Sequence, residues 1–258
     1  MGLLQPVIET ARDFGGRLLK LYSPDSRLAG RDAMSAAAAR LDATVHDPLR
    51  EALGRLRPQA RWVTDDEERA NLGAGEWWAV DDVEGAVNLL HGRPEWCVGI
   101  ALVRDGATEL AVVYQPVGDR LYIATPGGGA FENGLRLRVS PKTAFADAIV
   151  ETSQVGDEPA ELQARIGAAL GALMGRALLV RTTIPTTFPL LAVAQGRSDA
   201  FWQYAPAVTG VAAATLLATE AGAVATDLAG APWRPGAPDL LVTPPALHAE
   251  ALKAFGDL

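Results

Sequence analysis

A single cysteine, Cys97, occurs in 258 residues. That scarcity excludes an internal disulfide framework and any cysteine-rich metal site, and its place in "WCVGIALV" reads as a small buried hydrophobe. Positive charge is also short, with 23 Lys and Arg against 31 Asp and Glu, a formal charge of -8. Phosphate backbones and anionic bilayers need clustered cations, so nucleic acid and membrane are excluded as main partners and a small-molecule substrate is expected. No run reaches the length of about 18 apolar residues that a membrane span requires. The opening "MGLLQPVIETARDFGG" brings acids early and has no long apolar signal core, so the expected location is the cytoplasm. Repeats and low-complexity linkers are missing. With 49% hydrophobic and 21% charged residues, long disordered regions are excluded as well.

What is present is patterned. Leu4, Val7, Ile8, Ala11, Phe14, Leu18 and Leu19 recur at helical spacing and predict an amphipathic helix over 3–22. A second helix, about 33–56, carries Leu41, Val45, Leu49, Leu53 and Leu56 on one face, with Pro48 as a candidate interruption. His46 on this helix and His248 near the C-terminus read as surface residues. Short strand-like runs follow, "RWV", "EWWAV", "WCVGIALVR", "ELAVVYQPV", "RLYIAT" and "LRLRVS". The turn signals "RDGA", "VGDR" and "FENG" between them suit a meandering antiparallel sheet. "GGGAFENG" lacks the Lys-Ser/Thr ending and the following helix of a phosphate loop, and reads as a hairpin turn. After Ser140, strands "AIVETS", "ALLVRTT", "DAFWQY", "AVATD" and "DLLVTP" alternate with helices near 158–174, 187–195, 208–221 and 245–256. The expected organisation is an N-terminal part, 1–142, with helices and an antiparallel sheet, and a C-terminal α/β half, 143–258.

One stretch poses a chemical problem. "WWAVDDVEGAVN", residues 77–88, sets Asp81, Asp82 and Glu84 at the end of an apolar run. Carboxylates so close raise one another's pKa unless a cation or a proton lies between them. The stretch calls for a metal ion, or for a reason the metal has gone.

The segment "WWAVDDVEGAVNLLHGRPEWCVGIALVRDGATELAVVYQPVGDRLYIATPGGGAFENGLRLRVS" resembles the inositol monophosphatase family, which shares a strand ending in DPxDGT, an NFxHG turn and a later VVYxP…LYxA…GxGAFxNGxxLxVS block. The likeness continues through "AVAQGRSDAFWQY" and "LATEAGAVATDLAGAPW", covering roughly residues 33–256. It implies an α+β or α/β fold, a layered αβαβα sandwich, commonly a homodimer, and Mg2+-dependent hydrolysis of phosphate monoesters between the two halves. Paired Mg2+ ions need several converging carboxylates to clamp the attacking water and the leaving oxygen.

Carried over residue by residue, the resemblance gives Asp42 as the aspartate that orients the attacking water. Asp65 of "TDDEE" matches the first metal-binding glutamate, Asp81 the bridging ligand, the Val83 carbonyl a backbone ligand, and Glu84 the second aspartate. The pattern then fails. DPxDGT has become "DDVEGA", so the proline is Asp82 and the water-activating threonine is Ala86. The later WDxxAG element falls on "TGVAAA", which leaves Gly210 for a metal-binding aspartate and Thr209 for its tryptophan. A substrate-holding glutamate is Gln203, and a Gly-Ser or Gly-Thr step is Ile184-Pro185. Trp202, beside Gln203, joins Ile184 and Gln203 as a candidate substrate contact, with core packing as its alternative. Asp82 is a candidate acid, base or ligand beside Asp81 and Glu84, or a solvent-facing residue, and joins Asp42 and Glu84 as a catalytic candidate; His91 of the turn motif reads as structural.

These losses predict at most one well-occupied Mg2+ site, or none, on Asp65, Asp81, Val83 and Glu84, and severely reduced phosphatase activity. Three readings stay open: a repurposed enzyme acting on a small metabolite in the old cleft, a weak phosphomonoesterase, and a non-catalytic ligand- or partner-binding protein.

Overall fold

In the computed structural model, which describes residues 2–156 and 158–256, helices and sheets alternate in five layers. Helices α1 (Leu4–Leu19) and α2 (Arg31–Leu56) form the first. They cover a seven-stranded sheet whose order follows the chain: β1 (Arg61–Trp62), β2 (Glu76–Glu84), β3 (Cys97–Arg104), β4 (Ala107–Gln115), β5 (Arg120–Thr125), β6 (Gly129–Glu132) and β7 (Leu135–Arg136). A short helix, α3 (Ala86–Leu90), interrupts the chain between β2 and β3. The second sheet is built from β8 (Ile149–Thr152), β9 (Leu179–Thr182), β10 (Ala200–Tyr204), β11 (Val224–Thr226) and β12 (Asp239–Thr243), in the order β11-β12-β10-β8-β9. Helices α5 (Thr187–Ala194) and α6 (Val208–Glu220) lie between the sheets, and α4 (Ala160–Met174) and α7 (Pro245–Gly256) close the far side. The expected αβαβα sandwich is the observed one.

Side-chain alternation explains the layering. In β2, Trp77 and Ala79 join the apolar cluster that contains α5 and α6, whereas Trp78 joins the cluster of α1 and α2. A strand covered on both faces can be apolar throughout, which is why "WWAV" does not alternate. In β10, Phe201 points to the middle layer, and Trp202 and Tyr204 point to α4 and α7.

Three local expectations change. Helix α2 runs through Pro48 without a break, because Leu41, Val45, Leu49 and Leu53 are buried on both sides of it and hold the helix against the sheet. "GGGAFENG" is not only a turn. Gly129–Glu132 pairs with β5, burying Ala130, and the reversal is confined to Asn133 and Gly134, both at positive φ. Helix α3 was outside the expectation, being too short to display a helical period.

The ladder between β2 and β3 pairs Asp81 with Gly99 and Glu84 with Cys97, with the register broken between Asp81 and Glu84. Such a bulge re-aims side chains at a strand end. It is this irregularity that delivers the acidic cluster to the site.

Candidate functional site

The acidic end of β2 opens into a cleft of about 620 Å3 walled by α2, the segment after β1 and the start of α6. Asp65, Asp81 and Asp82 all line it, so three of the sequence candidates meet there. Asp81 is held by the Val83 N–H, which donates to its Oδ1 at 3.2 Å. Its carboxyl is nevertheless pushed well above the usual carboxylate range, first by burial and then by the neighbouring Glu84, with which it shares a hydrogen bond. Asp82 Oδ2 lies 3.0 Å from His46 Nδ1. His46 is on the surface, as expected, but it also lines the cleft and pairs with the loop. The sequence could have signalled this only as an i,i+4 relation to Asp42. Asp42 lies within α2, and its side chain falls outside the described residues.

Val83 and Glu84 are buried behind the cleft wall. Glu84 Oε1 accepts the Thr187 N–H at 3.1 Å, at the start of α5. A β-carbon placed at Gly210 would come within 3.9 Å of Glu84 Oε2 and 4.0 Å of Thr186 Cβ, so the position facing Glu84 has room for a side chain and carries none. Gly85, at φ +92°, allows the loop to pass Pro185, whose Cγ would stand 2.8 Å from a β-carbon there. Ala86 begins α3 and carries only a methyl group.

The substrate candidates scatter. Gln203 is half-buried and accepts a hydrogen bond from Ser153 Oγ at 3.4 Å, while Ser153 Oγ lies 2.9 Å from Thr186 Oγ1. This places Gln203 in the polar layer behind Glu84. Ile184 is exposed and lines a separate cavity of about 510 Å3 with Asn88, His91 and Arg181. Trp202 lines neither cavity. It is fully buried, packed 5.3 Å from the Tyr204 ring and 5.4 Å from Phe255, because even-numbered positions of β10 face the outer helices. Core packing, the alternative, is its observed role.

Glu68, the last acid of "TDDEE", was not among the candidates. Its carboxylate accepts the Thr209 N–H at 3.1 Å and the Thr209 hydroxyl, and its carbonyl accepts the Val208 N–H at 2.9 Å. It therefore caps α6 and ties that helix to the cleft rim, a pairing across the chain that no local motif announces.

Mg2+ tests the donor set. Among the described residues, no three His, Cys, Asp or Glu side chains converge as an ion site requires. Glu84 is turned to Thr187, Asp82 to His46, and Gly210 supplies no ligand. As placed, these residues do not fit a two-ion centre.

A family model described as "Inositol monophosphatase family" matches residues 3–258. An inositol-1-monophosphatase of Rhizobium meliloti is 37% identical over 186 residues, 70% of this chain and 68% of its own. Human inositol monophosphatase 2 is 30% identical over 236 residues, 88% of this chain and 81% of its own. Among solved structures, the Bartonella henselae extragenic suppressor protein suhB superposes with a TM-score of 0.81 at 25% identity, covering 98% of each chain. Inositol monophosphatase from Anabaena superposes with a TM-score of 0.80 at 24% identity, covering 99% of this chain and 95% of that one.

Proposed function

The chain belongs to the inositol monophosphatase family, and from that premise we propose that its phosphatase site has lost the second half of its metal machinery and that the cleft now serves a different step on a small metabolite. The family is generally Mg2+-dependent. The observation that carries the reading is the Glu84–Gly210 pair: the carboxylate is bound to Thr187 N–H, and the residue across from it has no side chain. Asp65, Asp81 and the Val83 carbonyl remain as donors for at most one ion, and no step is derived through it.

The chain's own residues support acid–base work. Asp82 sits beside His46 Nδ1, which orients the imidazole at the cleft wall and leaves Nε2 as the nitrogen a substrate would meet. Asp81 lies next in the chain, half-buried, so hydrogen-bonding groups of both kinds border one small volume. Retention of acids at 65, 81 and 84 also favours an active cleft over an inert scaffold, since the buried Glu84 beside the half-buried Asp81 costs stability.

The test is phosphate release from myo-inositol 1-phosphate and an aryl phosphate at high Mg2+, with ion binding followed by calorimetry. Feeble release and no more than one bound ion are expected. Turnover of about 1 per second or faster, the ordinary enzyme range, would overturn the proposal in favour of a working phosphomonoesterase.

A further inference from the structure

The wall of the cleft also carries a cation with an aromatic support. Arg50 lies on α2 one turn beyond His46, and its guanidinium carbon stands 4.5 Å above the Trp62 ring. Trp62 in turn packs on Trp78, ring centroids 6.4 Å apart, and Trp78 is fully buried. Trp78, Trp62 and Arg50 thus pack in series from the core outward, and Trp62 and Arg50 both line the cleft.

A guanidinium carries five N–H donors in its plane. Arg50 shares the cleft with Asp65, Asp66, Glu68, Asp81 and Asp82. Yet among the described residues it makes no hydrogen bond or ion pair with any of them, and its guanidinium rests on the Trp62 ring. The neighbouring carboxylates have other partners in part: Asp82 faces His46 and Glu68 caps Thr209. A cation seated over an aromatic ring on the wall of a cavity of about 620 Å3 can offer its N–H donors to a planar or tetrahedral oxyanion bound there. Neutralising such an anion at one point also favours one orientation, because the carboxylates of Asp65, Asp66 and Glu68 border the same cleft.

We propose that Arg50 is the oxyanion anchor of the cleft, binding the carboxylate or phosphate of a small metabolite and setting the rest of that molecule over Asp81 and Asp82. The assignment rests on the reading of this cleft as a small-metabolite site. It does not depend on whether phosphate esters are hydrolysed.

Calorimetric titration of the full chain in EDTA tests it, with inorganic phosphate in one arm and malonate in the other. At least one should bind with a Kd of about 1–10 mM, the range for a single charge-assisted bidentate contact. Arg50→Gln should weaken that binding at least about tenfold, and Arg50→Lys by less, since an ammonium keeps the charge although it neither stacks flat nor forks. Arg55→Gln, on the same helix but paired with Glu51, should leave it unchanged. Thermal melts check that each variant is folded. The tighter arm assigns the source of the oxyanion. Equal affinity in wild type and Arg50→Gln, or no binding of either anion at about 50 mM, overturns the anchor. Fast phosphate-ester turnover combined with an Arg50-dependent Kd would remove the proposed loss of phosphatase function and leave the anchor standing.

Discussion

Glu84 and Gly210 face each other across the layer behind the cleft, with the carboxylate Oε2 3.9 Å from the point where a side chain at 210 would begin. That distance makes Gly210→Asp a sterically tolerated change that sets two carboxylates against each other without a cation. The variant should fold in EDTA but be less stable than wild type by about 1–3 kcal/mol. Mg2+ should restore part of the loss, because an ion bound only by the folded state stabilises it by mass action. Thermal melts with EDTA and with Mg2+ check this; a variant as stable as wild type in EDTA would show that Glu84 does not face position 210.

Trp202 separates a core role from a substrate role. Its ring is fully buried between Tyr204 and Phe255. Trp202→Ala should therefore cost about 3–5 kcal/mol, and the milder Trp202→Phe should cost less while leaving anion affinity in the cleft unchanged. A Trp202→Phe variant of normal melting temperature with tenfold weaker anion binding would return the residue to the site.

Cys97 should be inert in the native protein. It is completely buried, and burial first, then the charges of Glu84 and Asp81, push its thiol well above the usual range, against a weaker opposing hydrogen bond with Thr187. Thiolate is the reactive form. Ellman's reagent should modify native protein at least about a hundredfold more slowly than protein in denaturant, with labelling limited by opening of the β2–β3 ladder. Comparable rates would place the thiol, and with it the floor of the metal loop, within reach of solvent.

His248 gives the pH dependence. It was expected on the helix surface, but its two ring nitrogens lie 3.1 Å from Thr226 Oγ1 and 3.0 Å from Thr243 Oγ1, and burial lowers its pKa below the usual imidazole range. Between the folded value and the ordinary 6.5 the unfolded chain binds more protons, so stability falls as pH drops through that window and the loss is complete below the folded value. His248→Gln should remove this dependence. Because the ring is only partly buried, the change should stay under about 1 kcal/mol. Urea melts at about pH 5.5 and 7.5, wild type against variant, measure it; parallel shifts in both proteins would refute the assignment.

The layers were legible in the sequence because period and burial coincide there: Leu41, Val45, Leu49 and Leu53 mark α2, and the apolar run of β2 marks a strand covered on both faces. Recognition of the acidic loop was legible from "DDVEGA" together with the later block. The rest depended on contacts across the chain. Glu68 with Thr209, His46 with Asp82, and Arg50 on Trp62 join segments whose separation along the chain carries no periodic signal. Trp202 kept two readings open in the sequence, and the strand decides between them: adjacency to Gln203 means opposite faces, and the face of Trp202 is the core.

Repair tests whether the missing groups are the decisive loss. Ala86→Thr returns a hydroxyl at the start of α3, and Gly210→Asp returns a charged ligand opposite position 84. Neither alone should raise Mg2+-dependent hydrolysis of a generic phosphate ester by more than about tenfold, since an oriented water without a leaving-group ion, or the reverse, is half of an in-line displacement. Adding Glu84→Asp withdraws the carboxylate from the Thr187 N–H by one methylene, and Asp82→Pro stiffens the loop while releasing His46. The quadruple variant should exceed wild type by at least about a hundredfold, roughly 2.7 kcal/mol of barrier. If it folds, binds two ions by calorimetry and still hydrolyses nothing, the obstacle lies elsewhere: Pro185 against Gly85, and Gln203 held by Ser153, would then shape the pocket against phosphate esters, and the proposal that missing metal ligands are the decisive loss would fall.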